Sequence, residues 1–181
     1  MINYWGLLKM SQASKQIDWC LKKAKKELEK SKLHRGLVKI AKDITLSEKH
    51  IIKAEHNLKA AIYFEKGGFS DWSTSAFFYC IYHCFLAILR KFGYESRNQE
   101  CTMAVIEMLK EEGKIEIDDK FIDPLKITKA EEMHESNIVK IRENFQYGVE
   151  LDFKEKEEFN KLVEICKEAI NKTRDIIHKQ D

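Results

Sequence analysis

A short segment near the end of one predicted helix carries the residue types best suited to bind a phosphate-bearing ligand. It reads RENFQYG from Arg142 to Gly148. Arg142 and Gln146 are four residues apart and share one helix face, and Tyr147 lies close enough to the helix end to turn its hydroxyl toward the same region. A guanidinium matches the geometry of a phosphate, and a tyrosine ring can stack on a base. The ligand-binding candidates are therefore Arg142, Asn144, Gln146 and Tyr147.

A structural role for the same segment is the alternative. Arg142 could pair with a carboxylate such as Glu143 or Glu135, and Tyr147 could cap the core. Charged side chains on helices pair with their neighbours more often than they bind ligands, so the local pattern alone favours this structural interpretation.

A second group with possible chemistry is Cys80, His83 and Cys84, which fall within one turn of another predicted helix. Soft metal ions bind such side chains, but the spacing differs from that of zinc knuckles and no matching pair occurs elsewhere. We therefore expect these residues to pack in the core, with His83 bonded to a backbone or carboxylate partner. The sequence also lacks a nucleophile elbow and a glycine-rich phosphate loop, which disfavours hydrolase triads and classical nucleotide enzymes. We expect neither a metal nor a cofactor.

The elements that position these groups are helices. Seven glycines and one proline are too few for the turns of a β-sandwich or barrel, and apolar residues recur at helical spacing along the chain. We predict an all-α fold, an antiparallel up-and-down bundle of four to six helices with a long C-terminal helix. The predicted helices span Ser14–Lys32, Thr45–Lys66, Trp72–Phe92, Asn98–Glu112, Ala130–Tyr147 and Phe153–His178.

Local signals refine this prediction. Capping boxes are expected at Thr45 and Glu48 and again at Asp152 and Glu155, while Ser70 and Asp71 are predicted to cap the third helix. Between the fourth and fifth helices, Lys114–Lys129 is predicted to be a loop with one short helical turn. The third helix is apolar on nearly every face, which is typical of a central bundle helix or a dimer seam, and no membrane association is expected.

Composition limits the setting in which the protein works. The length suits one domain, which we place at residues 11–181, preceded by an N-terminal arm or extension at residues 1–10. Five scattered cysteines in apolar context favour reduced thiols and a cytoplasmic protein. The net charge of +2 gives no global attraction to nucleic acid, so any such site must be a local patch.

Two segments together resemble the HEPN (higher eukaryotes and prokaryotes nucleotide-binding) family. The first runs from Trp72 to His83 and continues to Tyr94, with paired aromatics and a histidine before an apolar run and a glycine. The second is the Arg142 segment, which is similar to the family's arginine followed four to six residues later by a histidine. The resemblance extends from about Ser11 to His178.

The resemblance implies a homodimeric helical bundle in which the arginine motifs of both subunits line one cleft. In ribonuclease members the arginine holds the scissile phosphate and the histidine moves a proton, without metal. Here Tyr147 stands where the histidine is expected, and His134 lies upstream. An unperturbed tyrosine is a poor general base at neutral pH.

The expected function is therefore binding of RNA or a nucleotide at the Arg142 cleft, within a toxin–antitoxin or defence system. Two alternatives stay open, and with them the question whether the protein is an enzyme. One is a weak metal-independent ribonuclease in which Tyr147, or His83 from the central helix, replaces the missing histidine and acts with Arg142. The other is a non-catalytic helical partner of a nucleotidyltransferase.

Overall fold

The helical architecture is the dominant feature of the chain, seen in a computed structural model that describes residues 11–125, 142–143, 146, 148, 153 and 156–179. Within these residues there are six α-helices and one 3-10 turn, and the all-α prediction is confirmed. The helices are α1 (Gln12–Leu28), α2 (Ile44–Lys66), α3 (Ser70–Lys91), α4 (Gln99–Glu111), α5 (Asp119–Ile122) and α6 (Lys156–His178), with the 3-10 turn at Asp123–Leu125.

The hairpin of α2 and α3 forms the centre of the fold. Gly67 and Gly68 end α2 as predicted, and Gly68 takes a φ of 78° that a side chain would strain. The hydroxyl of Ser73 donates to the carbonyl of Ala61 at 2.8 Å and ties the two helices together near this turn. The tight turn therefore makes α2 and α3 antiparallel neighbours.

The caps of this hairpin differ from the prediction. Asp43, rather than Thr45, is the N-cap of α2, and its carboxylate accepts from the amide of Leu46 at 2.8 Å. The N-cap position of α3 is Phe69, which makes no side-chain cap bond, because the Ser70 hydroxyl donates to Glu65 instead. Both predicted caps were therefore wrong, although the helix ends lie within two residues of their predicted positions.

Helix α3 carries most of the core. It contains several of the largest fully buried side chains of the described residues, among them Phe77, Ile81, Phe85 and Ile88. Among the described residues it is the one helix long and apolar enough to cross a membrane, yet 67% of that stretch is buried within the fold, as expected for a core helix. The apolar pattern of this helix begins at Trp72, but that side chain lies on the outward face of the first turn and is 60% exposed.

A small antiparallel sheet was missed by the sequence analysis. Strand β1 (Leu37–Lys39) lies in the segment predicted as a polar connector, and it pairs with β2 (Tyr94–Ser96) directly after α3. Strands of three residues are too short to show the alternation that identifies them. Gly93 links α3 to β2 with a φ of 79°, where an added Cβ would lie 2.9 Å from the carbonyl oxygen of Ile40.

The cysteines also differ in part from the prediction. Cys20 of α1 and Cys101 of α4 form a disulfide, whereas Cys80, Cys84 and Cys166 are free and buried. The disulfide joins residues 81 positions apart in the sequence. It can therefore be recognised only from the packing of α1 on α4. Disulfides are typical of oxidising compartments, so the cysteines no longer argue for a cytoplasmic location.

The remaining boundaries shift by a few residues. Helix α1 begins after the Ser11 N-cap and ends at Leu28, four residues earlier than predicted, and α6 begins at Lys156. The predicted turn between Lys114 and Lys129 corresponds to α5 and the 3-10 turn. The N-terminal arm, the capping box at Asp152 and most of the predicted fifth helix lie outside the described residues.

Candidate functional site

The guanidinium of Arg142 lies over the ring of Phe78 in the middle of α3. Its central carbon is 4.2 Å from the ring centroid, within the range of a cation–π interaction. Phe78 is 4% exposed, and Arg142 is half-buried. The contact joins the two segments that sequence analysis selected, since Phe78 belongs to the first and Arg142 to the second.

One donor of this guanidinium has no partner. The Nε–H of Arg142 is buried and makes no hydrogen bond. No ion pair joins Arg142 to Glu143, which is exposed, and Glu135 lies outside the described residues. A buried donor without an acceptor costs about 1–3 kcal/mol, so no hydrogen bond from Nε holds Arg142 in this position.

Aromatic rings of α3 surround the contact. Tyr82 stacks on Phe78, with ring centroids 5.8 Å apart and planes at 15°, and Tyr79 meets Phe78 edge-on at 5.2 Å. The Tyr82 hydroxyl lies 3.2 Å from that of Thr102, and burial raises the pKa of Tyr82. Tyr79 is 49% exposed and is therefore available to a ligand. Sequence analysis did not select these tyrosines as site residues, although their three-residue spacing places them on one face of the helix.

His83 is paired with a second histidine rather than with a backbone or carboxylate group, which corrects the prediction. Its Nδ1 lies 3.0 Å from Nδ1 of His50 in α2, so one ring donates and the other accepts. Burial, together with His83 and Arg90, lowers the pKa of His50 to about 4 against an opposing effect of Glu95. Burial and Lys53 lower the pKa of His83. Both imidazoles are therefore neutral at pH 7.

The histidine pair and Arg142 flank the same stretch of α3. Phe78 and His83 are five positions apart in α3, which corresponds to about 7.5 Å along the helix axis. Tyr79, Tyr82 and His83 share the outward, partly exposed face of α3, because they are spaced three and four residues apart. That face offers tyrosine rings and a neutral imidazole, and the Tyr82 ring stacks on the Phe78 ring that Arg142 contacts.

The other candidates contribute less to this geometry. Gln146 is helical and exposed, whereas Asn144 and Tyr147 lie outside the described residues. Among the residues that the structure describes, no group of three or more histidine, cysteine or acidic side chains could hold a metal ion. A hydrogen bond to the Cys166 thiol chiefly raises the pKa of Cys80, which keeps that sulfur protonated and a poor metal ligand.

The histidine pair should make stability depend on pH. The pKa of His50 is lower in the folded protein than the value of about 6.5 expected in the unfolded chain. The unfolded state therefore binds the proton first as the pH falls, and stability present above pH 6.5 is lost toward pH 4. Because the ring is only partly buried, we expect His50 to account for about 1–2 kcal/mol of this loss.

Urea unfolding at pH 7 and pH 4.5 measures the effect. The change in unfolding free energy between the two pH values should be smaller for His50→Gln than for wild type. His56→Gln, at an exposed position of the same helix, is the matched control and should change as wild type does. Equal changes in His50→Gln and wild type would contradict the linkage.

A family model matches most of the chain. Residues 47–177 match the model described as HEPN domain. The matched region begins in α2 and ends in the last turn of α6, so it contains both Phe78 and Arg142, while α1 and β1 precede it. None of the curated proteins matches the chain.

Proposed function

The chain belongs to the HEPN domain family, and on that basis we propose that it binds RNA or a nucleotide by holding a phosphate with Arg142. The contact between Arg142 and Phe78 carries the proposal. The ring covers one face of the guanidinium and orients it, and because Arg142 is only half-buried, the exposed part of the side chain can meet a phosphate oxygen. Arginine favours such sites because its planar fork can donate two parallel hydrogen bonds to phosphate.

The aromatic residues beside Arg142 support a nucleic-acid ligand over a simple anion. The half-exposed ring of Tyr79 adjoins Phe78, and an unpaired base could stack on it. In the proposed cleft, Asn144, Gln146 and Tyr147 supply further polar contacts. Stacking requires bases that are free of a duplex, so single-stranded RNA is the preferred form.

We also propose that the protein is a homodimer whose two Arg142 side chains line one cleft. In this proposal the dimer acts in a toxin–antitoxin or defence system. Two large aromatic side chains at the start of α3, Phe69 and Trp72, are 57% and 60% exposed. They lie three residues apart, beside the turn between α2 and α3. Exposed apolar surface of this kind is typical of interaction sites, which supports association through this helix.

Binding of a labelled single-stranded RNA, followed by fluorescence anisotropy across a salt series, tests the proposal. Two arginine–phosphate contacts per dimer predict that the logarithm of affinity falls with the logarithm of salt at a slope of about −1.4. Duplex RNA of the same sequence should bind more weakly. Absence of binding at about 50 mM salt, where electrostatic contacts are strong, would reject the proposal and favour the helical partner of a nucleotidyltransferase.

The His50–His83 pair favours a metal-independent ribonuclease as the second candidate. A neutral imidazole, or Tyr147, would accept the proton of a ribose 2′-hydroxyl as its oxygen attacks the phosphorus and the 5′-oxygen leaves. The bound RNA from the same experiment should then yield fragments ending in 2′,3′-cyclic phosphate. If intact RNA is recovered after long incubation at high protein concentration, this candidate fails while RNA binding remains.

A further inference from the structure

A shallow groove lies between α1 and β1, before the part of the chain that matches the family. It has a volume of about 490 Å³, and most of its lining surface is apolar. Its walls come from one side of α1 and from the whole of β1, and all of these residues precede residue 47. The lining residues are Leu21, Lys25, Leu28, Glu29, Leu37, Val38 and Lys39.

The α1 wall of the groove is a second apolar stripe on this helix. Leu21, Lys25 and Leu28 are spaced four and three residues apart, so they share one side of α1. Leu28 is 43% exposed and Leu21 is half-buried. Two leucines that line one groove form a surface suited to a partner. The stripe of α1 that is buried within the fold is a different one, which consists of Ala13, Ile17, Cys20 and Ala24.

The β1 wall is the outer edge of the two-stranded sheet. Three consecutive residues of β1 line the groove, although successive side chains of a strand point to opposite faces, which indicates that the backbone edge faces it. The amide of Ile40 donates to the carbonyl of Gly93 in front of β2. The amide of Arg97 donates to the carbonyl of Gly36. The residues between these two positions alternate, so the backbone groups of the exposed Lys39 point away from β2 and can pair with an added extended segment.

The ten residues before Ser11 have the composition of a segment that would cover such a groove. One of them, Lys9, carries a charged side chain, and aromatic and β-branched residues, which favour extended backbone, lie in the first half. Seven of the ten are apolar, namely Met1, Ile2, Tyr4, Trp5, Leu7, Leu8 and Met10.

The length of this arm matches the distance to the groove. Leu21 and Leu28 lie about 15 Å and about 25 Å from Ser11 along the axis of α1. An extended segment of ten residues spans about 33 Å, so the arm can turn back at Ser11 and still reach past Leu28. Its covalent link to α1 gives the arm an effective concentration on the order of millimolar, which favours it over a free segment of another molecule.

We propose that residues 1–10 turn back along α1 and dock in this groove as an extended segment. The rings of Tyr4 and Trp5 pack against Leu21 and Leu28, and the backbone of the segment pairs with the edge of β1 at Lys39. The docked arm thereby covers a strand edge that is otherwise open to association with other chains. Since arm and groove both precede the matched family region, this inference stands apart from the proposed RNA site.

Photo-cross-linking on the full chain identifies what occupies the groove. The photoreactive residue p-benzoylphenylalanine replaces Leu28 in the groove or, as the matched control, Trp19, which is 49% exposed on α1 outside the groove. After irradiation, mass spectrometry should find the tryptic peptide of residues 1–9 joined to α1 in the Leu28 variant and not in the Trp19 variant. Trp19 lies nearer to the arm along the chain, so an arm without a fixed position would reach it at least as often.

A variant of the arm tests which side chains hold it. Tyr4→Ser/Trp5→Ser removes both rings and should reduce the cross-link from position 28 by at least about half, because aromatic side chains dominate the apolar area that such a contact buries. An unchanged yield in this variant would contradict the packing of these rings in the groove. If circular dichroism shows that the probe at position 28 disturbs the fold, the same probe replaces Lys25 instead.

A mixture of isotope-labelled and unlabelled copies distinguishes the possible occupants. Cross-linked peptides in which both parts carry the same label support docking of the arm on its own chain. Cross-links of mixed label would assign the groove to a second copy and overturn the inference. Equal yields from positions 19 and 28, or no cross-link from position 28 to residues 1–9, would overturn it as well.

Discussion

Arg142→Ala should weaken the binding of single-stranded RNA by a factor of about ten to one hundred, which corresponds to the loss of one or two charge-assisted hydrogen bonds. The variant removes the guanidinium that the Phe78 ring holds in place. It should also reduce the magnitude of the salt slope, because fewer phosphates are neutralised. Fluorescence anisotropy at several salt concentrations measures both effects.

Two further variants identify the cause of that loss. Arg142→Lys keeps the positive charge but lacks the planar fork, so it should bind with intermediate affinity. Arg35→Ala removes an equal charge at an exposed position before the matched family region and should bind RNA within about twofold of wild type. Wild-type affinity in Arg142→Ala would exclude Arg142 from the RNA site. Equal losses in Arg35→Ala and Arg142→Ala would indicate a nonspecific charge effect.

Phe77→Ala should lower the free energy of unfolding by about 3–5 kcal/mol, the range for removal of a buried aromatic ring. Phe77 is fully buried in α3, and its ring centroid lies 5.2 Å from that of Phe159 in α6. The substitution would leave a cavity where the central helix meets the C-terminal one. Denaturant unfolding followed by circular dichroism measures the change.

Tyr63→Ala is the matched control for this loss. Tyr63 is 74% exposed near the end of α2, so truncation of its ring should change stability by no more than about 0.5 kcal/mol. If the two variants lost equal stability, the assignment of Phe77 to the core would be wrong. A loss confined to Phe77→Ala supports the packing of α3 against α6.

Elements with a long sequence pattern were predicted more accurately than elements with a short one. The continuous apolar run of α3 placed its ends within two residues, because a buried helix must be apolar over its whole length. Caps were less certain, since Asp43 and Thr45 both have side chains able to cap α2 and only geometry selects between them. The strands and the Cys20–Cys101 bond depend on which distant segments meet, which local patterns do not encode.

In the candidate site too, local patterns identified a residue but not its tertiary contacts. Residue type and the family resemblance together selected Arg142, because a guanidinium matches the geometry of a phosphate and the segment is similar to the family's arginine motif. Its neighbour Phe78 and the pairing of His83 with His50 are tertiary contacts between separate helices, so local spacing could not reveal them. The predicted backbone or carboxylate partner of His83 was wrong, because the opposing helix supplies an imidazole instead.

The Cys20–Cys101 bond also changes the covalent topology of the chain. With that bond in place, residues 20–101 form a closed macrocycle that contains all of α2, α3 and both strands. The turn at Gly67 and Gly68, which is exposed, lies on this ring. A single peptide cleavage at the turn would open the ring without separating the molecule into two fragments. The two halves of the central hairpin would stay joined through α1 and α4, and both would remain attached to the segment that contains Arg142.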